Sequence, residues 1–296
     1  MHKILIAGGS GFIGSYLFNT FNEGYSVNTL GRERDQFKPN YYSLDLANVE
    51  KVKTFVENSP KYDILIFLVG LAHKKGKTEE LEEFEKINKQ SLINLISKMQ
   101  EYKKLPDKII FSSTISVYGE VMDTFTYYEE SKKYPLSPYA ITKFQAEKYL
   151  KDITPNNLWI LRLAPVYAKN FQLNLERRTK IGGFFYKVGD GHIKLSLCNL
   201  DNIGNVINSI IMNKVPAGTY NISDRIEYTY NDLLRYMKAD RIIRIPLKIA
   251  RGFYLIGKVL NNIFLKENVI KLVSDNIYPS NKIRQFVKFP AVLKND

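Results

Sequence analysis

Residues 3–14 read KILIAGGSGFIG, and this stretch decides the fold. The apolar run at 3–7 ends in two glycines, which is typical of a buried parallel strand. From residue 12 onward, apolar side chains recur at helical spacing. Between strand and helix lies the pattern GxGxxG at residues 9–14, whose glycines permit a tight turn and the close approach of a pyrophosphate. The stretch therefore predicts a dinucleotide site; a turn that merely connects the two elements is the alternative. The predicted cofactor contacts here are Gly8, Gly11, Phe12, Ile13 and Gly14.

Strands and helices alternate along the first half of the chain. A long helix is predicted from Glu79 to about Tyr102. This alternation predicts an α/β fold, a doubly wound parallel sheet of the Rossmann type, whose ligands bind at the carboxyl ends of the strands. Further predicted strands lie at residues 25–30, 41–44, 63–69, 108–113 and 158–163.

The alternation stops after Pro165, and the remaining sequence predicts a smaller C-terminal lobe that binds the substrate. We expect the NAD(P)-binding Rossmann domain to comprise residues 1–165 and about 198–225. The substrate-binding lobe would then comprise about 166–197 and 226–296. No low-complexity linker separates two independent domains.

Composition indicates a soluble globular protein of 296 residues, large enough to bury a sizeable core. A single cysteine, Cys198, suits the reducing cytoplasm, where we expect the protein. The three histidines show no metal-ligand spacing, so no metal is predicted. The N-terminal residues lack the length and flanks of a signal peptide, and no segment is long enough to span a membrane. Basic residues do not alternate with aromatic ones in the pattern of nucleic-acid-binding proteins.

The formal net charge is +13, with a mild concentration of basic residues in 238–271, where eight basic residues accompany two acidic ones. One interpretation is that this stretch docks peripherally on an anionic membrane. The other, which we expect, is that its apolar residues belong to the core. These residues are Ile245, Leu247, Ile249, Phe253, Leu255, Ile256 and Leu260.

The end of the second predicted strand bears on the choice of cofactor. An acidic residue there would bind the adenosine ribose of NAD, but the chain has Gly31 and Arg32. The guanidinium of Arg32 suits a 2′-phosphate, so NADP is slightly favoured over NAD. Glu33 or Asp35 could still reach a ribose hydroxyl, which is the alternative.

Tyr139 and Lys143 lie four residues apart on a predicted helix at 137–152 and therefore share one face. A free phenol has a pKa of about 10. A neighbouring ammonium and a cationic nicotinamide would favour the phenolate. Lowering this pKa by about three units takes roughly 4 kcal/mol, which is within reach of a partly desolvated charge pair. The phenol could then accept a proton from a sugar hydroxyl. Thr114, at the end of the strand at 108–113, could hydrogen-bond the same substrate oxygen.

Four motifs, GGSGFIG, FSSTISVYG, YAITK and ILRLAPVY, together closely resemble the extended short-chain dehydrogenase/reductases, and among them the nucleotide-sugar epimerase/dehydratase group. The resemblance implies that Thr114, Tyr139 and Lys143 are the catalytic residues and that Lys143 also holds the nicotinamide ribose. It also implies a homodimer. The further contacts that it implies are Asp45 and Leu46 at the adenine, Leu68 and Gly70 beside the cofactor, and Asn88 as a support of the site.

The resemblance also narrows the reaction. In the 4,6-dehydratases of this group an Asp-Glu pair follows the catalytic threonine, whereas this chain has Ile115 and Ser116. We therefore expect a UDP-sugar C4 epimerase or a 4-ketoreductase of surface polysaccharide biosynthesis. Lys194 is the candidate ligand of the nucleotide diphosphate. A non-catalytic dinucleotide sensor or scaffold is the alternative, although a sensor needs no proton donor.

Overall fold

The computed structural model of the chain describes residues 1–32, 40–72, 81–122 and 124–293. The strands are β1 Lys3–Ala7, β2 Ser26–Gly31, β3 Tyr41–Ser43, β4 Ile64–Phe67, β5 Lys108–Thr114, β6 Phe125–Thr126, β7 Leu158–Leu163, β8 Val166–Tyr167, β9 Lys180–Ile181, β10 Phe184–Val188, β11 Lys194–Leu195, β12 Cys198–Asn199, β13 Gly218–Ile222, β14 Tyr228–Thr229, β15 Ile242–Ile245 and β16 Asn276–Ile277. The α-helices are α1 Phe12–Phe21, α2 Val49–Asn58, α3 Leu81–Phe84, α4 Ser91–Glu101, α5 Pro138–Ile153, α6 Leu173–Thr179, α7 Leu200–Ile211, α8 Tyr230–Tyr236, α9 Leu247–Val259, α10 Ile263–Val273 and α11 Asn281–Arg284.

A seven-stranded sheet has the order β13-β7-β5-β4-β1-β2-β3. The pairs from β5 through β4, β1 and β2 to β3 are parallel, which confirms the predicted Rossmann-type α/β fold. The chain leaves β1 toward β2 on one side and later returns to β4 on the other. This reversal of strand order is the topological switch point, where ligands of such sheets bind. Both β1 and β4 contribute four consecutive buried residues to the core.

The predicted helix of residues 79–102 is not one regular α-helix over its described part. Between α3 and α4, residues Glu85–Gln90 form a π-helical segment. The apolar spacing did not predict this segment, because π-helical turns are rare and have no distinct apolar pattern. The start of the prediction, at Glu79, lies outside the described residues.

The chain forms two compact units, whose bounds differ from those of the predicted domains. One unit comprises 1–117, 138–162 and 216–219, and the other comprises 118–137, 163–215 and 220–296. The second unit therefore includes four segments that were expected in the Rossmann domain, namely 118–137, 163–165, 198–215 and 220–225. Buried hydrogen bonds explain part of this placement, because the Asn199 backbone N–H and the Asn202 side chain both donate to Asp224 Oδ1 at 2.8 Å.

The second unit contains small sheets and the basic stretch at 238–271. Here the expectation of a core location is wrong for most of the apolar residues, because five of the seven are exposed and two are partly buried. Ile245 and Leu247 pack against a small apolar cluster, as expected. The exposed ones are Ile249, Phe253, Leu255, Ile256 and Leu260.

Candidate active site

The glycine turn between β1 and α1 is packed too closely against neighbouring backbone to admit side chains at Gly8 and Gly14. Gly8 has φ +95°, and a Cβ there would lie 3.1 Å from the Leu68 carbonyl carbon. A Cβ on Gly14 would clash with the Gly8 carbonyl oxygen and lie 2.8 Å from Gly9 Cα. Gly11 is the N-cap of α1 and places no side chain over the first turn. A close-packed glycine turn before a helix N-terminus is typical of a pyrophosphate site, and the contact with the cofactor remains a prediction.

Gly14→Ala should weaken both the fold and dinucleotide binding. The added methyl group meets backbone atoms, which cannot rotate away, and overpacking of this kind costs roughly 1–3 kcal/mol. Urea unfolding gives the loss of stability, and calorimetry with NAD(P)⁺ gives the loss of affinity. Gly24→Ala is the matched control, because no atom lies within 4 Å of a Cβ at Gly24. Equal effects of the two substitutions would contradict the tight approach.

Strand β2 ends at Gly31, and Arg32 follows it. Because β1 and β2 are parallel neighbours, these residues lie at the same edge of the sheet as the glycine turn. A Cβ on Gly31 would clash with the Tyr41 hydroxyl and lie 2.8 Å from Ser10 Oγ. A side chain at position 31 would therefore have to displace these two hydroxyl groups, whereas Arg32 is exposed. The alternative ribose ligands, Glu33 and Asp35, lie outside the described residues.

The two predicted adenine contacts differ in exposure. Asp45 is exposed, and its carboxylate accepts a hydrogen bond of 3.0 Å from the backbone of Ala47. Leu46 is buried, and its carbonyl accepts from the Asn94 side chain at 2.9 Å. Asp45 thus shapes the turn before α2, and the adenine contact remains a prediction.

Tyr139 and Thr114 come together at the carboxyl end of β5. Tyr139, partly buried in the first turn of α5, shares a side-chain hydrogen bond with Thr114. Burial raises the pKa of Tyr139 to about 12, and the hydrogen bond with Thr114 opposes part of this rise. This raised pKa belongs to the chain by itself, where burial outweighs the hydrogen bond with Thr114. The lowered phenol pKa, which requires a cationic nicotinamide beside the ring, remains a prediction.

Lys143 lies one turn further along α5 and is buried, with 2% of its surface exposed. Its ammonium donates to the carbonyl oxygens of Val69 at 3.0 Å and Ser112 at 2.9 Å. Burial lowers the pKa of Lys143 to about 7, and the nearby Glu147 carboxylate opposes this shift. The two carbonyls hold the amine in place between the ends of β4 and β5.

Lys143→Met should remove a pH dependence of stability. In the folded chain the amine loses its proton near pH 7, whereas the unfolded chain holds it to about pH 10.4. Since the unfolded state binds more protons between these values, the free energy of unfolding should rise with pH across that window. Urea unfolding at several pH values should show this rise in the native sequence and in the control Lys148→Met, an exposed position on the same helix. An unchanged slope in Lys143→Met would contradict the buried position of the amine.

Asn88 and Gly70 support the position of Lys143. Asn88, fully buried in the π-helical segment, accepts from the Leu71 backbone N–H at 2.6 Å and donates to Thr142 Oγ1 at 3.1 Å. It thereby ties the loop after β4 to α5. A Cβ on Gly70 would lie 3.1 Å from Lys143 Nζ, so a side chain there would press on the amine. Leu68 packs beside Gly8 at the glycine turn.

A buried ion pair next to these residues escaped the sequence-based prediction. Arg162 Nη2 lies 2.7 Å from Glu147 Oε2, and Arg162 Nε donates to Glu147 Oε1 at 3.0 Å. The Ser113 hydroxyl donates to Glu147 Oε1 at 2.5 Å. The available signal was an arginine within the apolar strand LWILRL and a glutamate four residues after Lys143. The pair fixes α5, which carries Tyr139, to β5 and β7.

Lys194 lies in the second unit, at the start of β11. Its ammonium forms an exposed ion pair of 2.9 Å with Glu227. This carboxylate raises the pKa of Lys194 and offsets part of the charge that a diphosphate would use. Its proposed contact with a nucleotide diphosphate remains a prediction.

Two curated relatives of this chain are named as sugar epimerases. A curated relative, the N-acetyl-α-D-glucosaminyl-diphospho-ditrans,octacis-undecaprenol 4-epimerase of Escherichia coli O157:H7, is 25% identical over 253 residues, covering 82% of this chain and 74% of the relative. The uncharacterized UDP-glucose epimerase YtcB of Bacillus subtilis is 31% identical, and the match spans about half of each protein, 49% of this chain and 50% of YtcB.

Solved structures share the fold. The UDP-Glc/GlcNAc 4-epimerase of Campylobacter jejuni aligns with a TM-score of 0.75 at 19% identity, covering 100% of this chain and 95% of that one. The profile of the NAD dependent epimerase/dehydratase family matches residues 4–204, which contain the glycine turn, Thr114, Tyr139 and Lys143. The chain therefore belongs to the NAD-dependent epimerase/dehydratase family.

Proposed function

We propose that this chain is an NAD(P)-dependent enzyme that acts by hydride transfer at C4 of a nucleotide sugar, as a UDP-sugar C4 epimerase or a 4-ketoreductase. The observation that carries the proposal is the grouping of Thr114 with Tyr139 and of Lys143 with the ends of β4 and β5. This grouping lies at the edge of the sheet where the glycine turn also lies. A dinucleotide sensor or scaffold would have no need of a proton donor there.

Thr114, Tyr139 and Lys143 have different roles in the proposed proton transfer. The Thr114 hydroxyl can hold the substrate oxygen beside Tyr139, whose phenolate accepts the C4 hydroxyl proton or whose phenol returns it. A phenol of pKa about 12 needs roughly 7 kcal/mol of differential interaction to ionise at pH 7. An oxidised nicotinamide, if held by the glycine turn and Lys143, would supply positive charge that favours the phenolate and would provide the acceptor for the hydride. Lys143, as an ammonium, adds to this charge and can hydrogen-bond a ribose hydroxyl.

Elimination of water is not expected at this site. The two residues after Thr114 are Ile115, which is buried, and Ser116, whose backbone N–H donates to Thr114 Oγ1 at 3.2 Å. Neither has a carboxyl group that could protonate a leaving hydroxyl. The local geometry therefore supports epimerisation or reduction.

A substrate panel tests the proposed function. The purified chain is incubated with UDP-sugars and 4-keto UDP-sugars, while NADPH absorbance and product stereochemistry are followed together. Inversion at C4 without net change in the cofactor supports an epimerase, and steady loss of NADPH with a keto sugar supports a reductase. Dinucleotide binding without turnover of any sugar would support the sensor instead.

A polyprenyl-diphosphate-linked sugar is a second candidate substrate. The observation in its favour is that the relative from Escherichia coli O157:H7, named for such a substrate, aligns over 82% of this chain, whereas YtcB aligns over 49%. Including undecaprenyl-diphosphate-linked N-acetylglucosamine in the panel decides between them. Turnover of this lipid-linked sugar with none of its UDP counterpart would replace the first candidate.

We further propose that NADP is the preferred cofactor. Arg32→Ala should lower NADP⁺ affinity about 10- to 100-fold, because a charged hydrogen bond to the 2′-phosphate is lost. NAD⁺, which lacks that phosphate, is the internal control and should bind the variant as it binds the native chain. Calorimetry with both dinucleotides measures the effect. A parallel loss of both affinities, or of neither, would contradict the role of Arg32.

A further inference from the structure

Helix α9 exposes an apolar face to solvent. We define the α9 face by six apolar side chains, of which Val259 is 84% exposed, Leu260 67% and Leu255 60%. A typical surface helix directs such residues toward the core and polar ones outward. In this helix the outward positions carry most of the large apolar side chains. The members of the α9 face are Ile249, Phe253, Leu255, Ile256, Val259 and Leu260.

Small residues form the opposite, inward side of α9. Ala250 and Gly257 are buried and lie seven residues apart, which is about two helical turns. A Cβ on Gly257 would lie 3.3 Å from Leu265 of α10, so the two helices approach closely there. The side of α9 with Ala250 and Gly257 therefore packs against the protein, whereas the α9 face is accessible to a binding partner.

The charges around the α9 face have one sign. Residues 241–266 contain six basic residues and no acidic one. Lys248, Arg251 and Lys258 are exposed, and among the described residues none of the three forms an ion pair. At about 100° per residue, Arg251 and Lys258 lie two turns apart along one border of the apolar stripe, and Lys248 lies within the stripe at the start of the helix. Exposed apolar residues bordered by cations are the pattern of a helix that lies in a membrane interface.

We propose that the α9 face docks this protein on an anionic lipid membrane, with the apolar side chains inserted at the level of the headgroups and the cations on lipid phosphates. Helix α9 has 13 residues, fewer than the roughly 20 needed to span a bilayer, so it lies parallel to the surface. A second copy of this chain is a poorer occupant, because it brings a net charge of +13 and the same cations to the contact. The proposal does not depend on which sugar the enzyme uses.

Vesicle flotation with the full-length protein tests this proposal. The protein should float with vesicles of phosphatidylglycerol and phosphatidylcholine at low salt, and less with phosphatidylcholine alone. Replacing the three cations by glutamate (K248E/R251E/K258E) should weaken binding at least about 100-fold, since each basic residue near the surface contributes roughly fivefold. The control K51E/K214E/K288E replaces three exposed lysines outside the α9 face. Its net charge equals that of K248E/R251E/K258E, and it should bind vesicles nearly as the native chain does.

A second variant tests the apolar part of the contact. Leu255→Ser with Val259→Ser alters only exposed side chains, so the fold should persist, as circular dichroism can verify. Its binding should fall by about tenfold or more, because apolar burial contributes alongside charge. Absence of flotation by the native protein at low salt overturns the proposal. The proposal is also overturned if the native protein is a dimer in solution and Leu255→Ser with Val259→Ser converts it to monomers. In that case a second copy of the chain covers the α9 face.

Discussion

Replacing Tyr139 by phenylalanine should lower turnover at least about 100-fold while leaving dinucleotide affinity nearly unchanged. General acid–base groups contribute roughly 10²- to 10⁴-fold, and the substitution removes only the hydroxyl that carries the proton. The phenyl ring keeps its place in the first turn of α5. Steady-state kinetics with the substrate found in the panel, together with calorimetry of NAD(P)⁺ binding, measures both quantities.

A second tyrosine on the same helix provides the control for this prediction. Tyr149 packs against the apolar core of the Rossmann sheet, and Tyr149→Phe should keep native turnover. If Tyr139→Phe retains full activity, the phenol is not the proton carrier. If the variant loses cofactor binding as well, the side chain has a structural role that the prediction omits.

Breaking the buried Glu147–Arg162 pair should give the largest loss of stability. Glu147→Gln leaves the Arg162 guanidinium, which is fully buried, without its full countercharge. Removing one partner of a buried pair typically costs about 3–5 kcal/mol of unfolding free energy. Urea unfolding of the purified variant measures the loss, and turnover should fall with it because the pair holds α5 against β5 and β7.

Two further variants distinguish the stability lost by breaking the buried pair from the stability lost by removing any charge. Glu147→Gln combined with Arg162→Met should recover much of the lost stability, because no guanidinium then remains buried without its countercharge. Glu101→Gln breaks a surface pair with Lys98 and should cost little stability, because water screens such pairs. A loss in Glu147→Gln no larger than that in Glu101→Gln would show that the buried geometry carries no stability.

Much of the fold follows from local sequence pattern. The apolar runs that become β1 and β4 are buried on both sides, so they stand out without alternation, and the glycine turn marks the helix that follows β1. Thr114 and Tyr139 could be placed together because the end of a parallel strand and the start of the helix that follows it lie at the same edge of the sheet. Their chemical roles remain predictions that the variants above address.

What the sequence could not reveal is the environment of each side chain. Spacing places Tyr139 and Lys143 on one face, but the pKa of each depends on desolvation and on which carbonyls lie nearby. The two carbonyls that hold Lys143 come from residues far away in the chain. Likewise, an apolar stripe in α9 has the same period whether the core or solvent covers it, so periodicity alone gave the wrong location for Leu255 and its neighbours.

The most direct test of the central claim is a crystal structure of the chain with NADP⁺ and a UDP-sugar bound. The account predicts the pyrophosphate against the turn from Gly8 to Gly14, the nicotinamide ribose within hydrogen-bond distance of Lys143, and the sugar C4 oxygen between Thr114 and Tyr139. A dinucleotide bound elsewhere, or a Tyr139 hydroxyl turned away from the sugar, would contradict it.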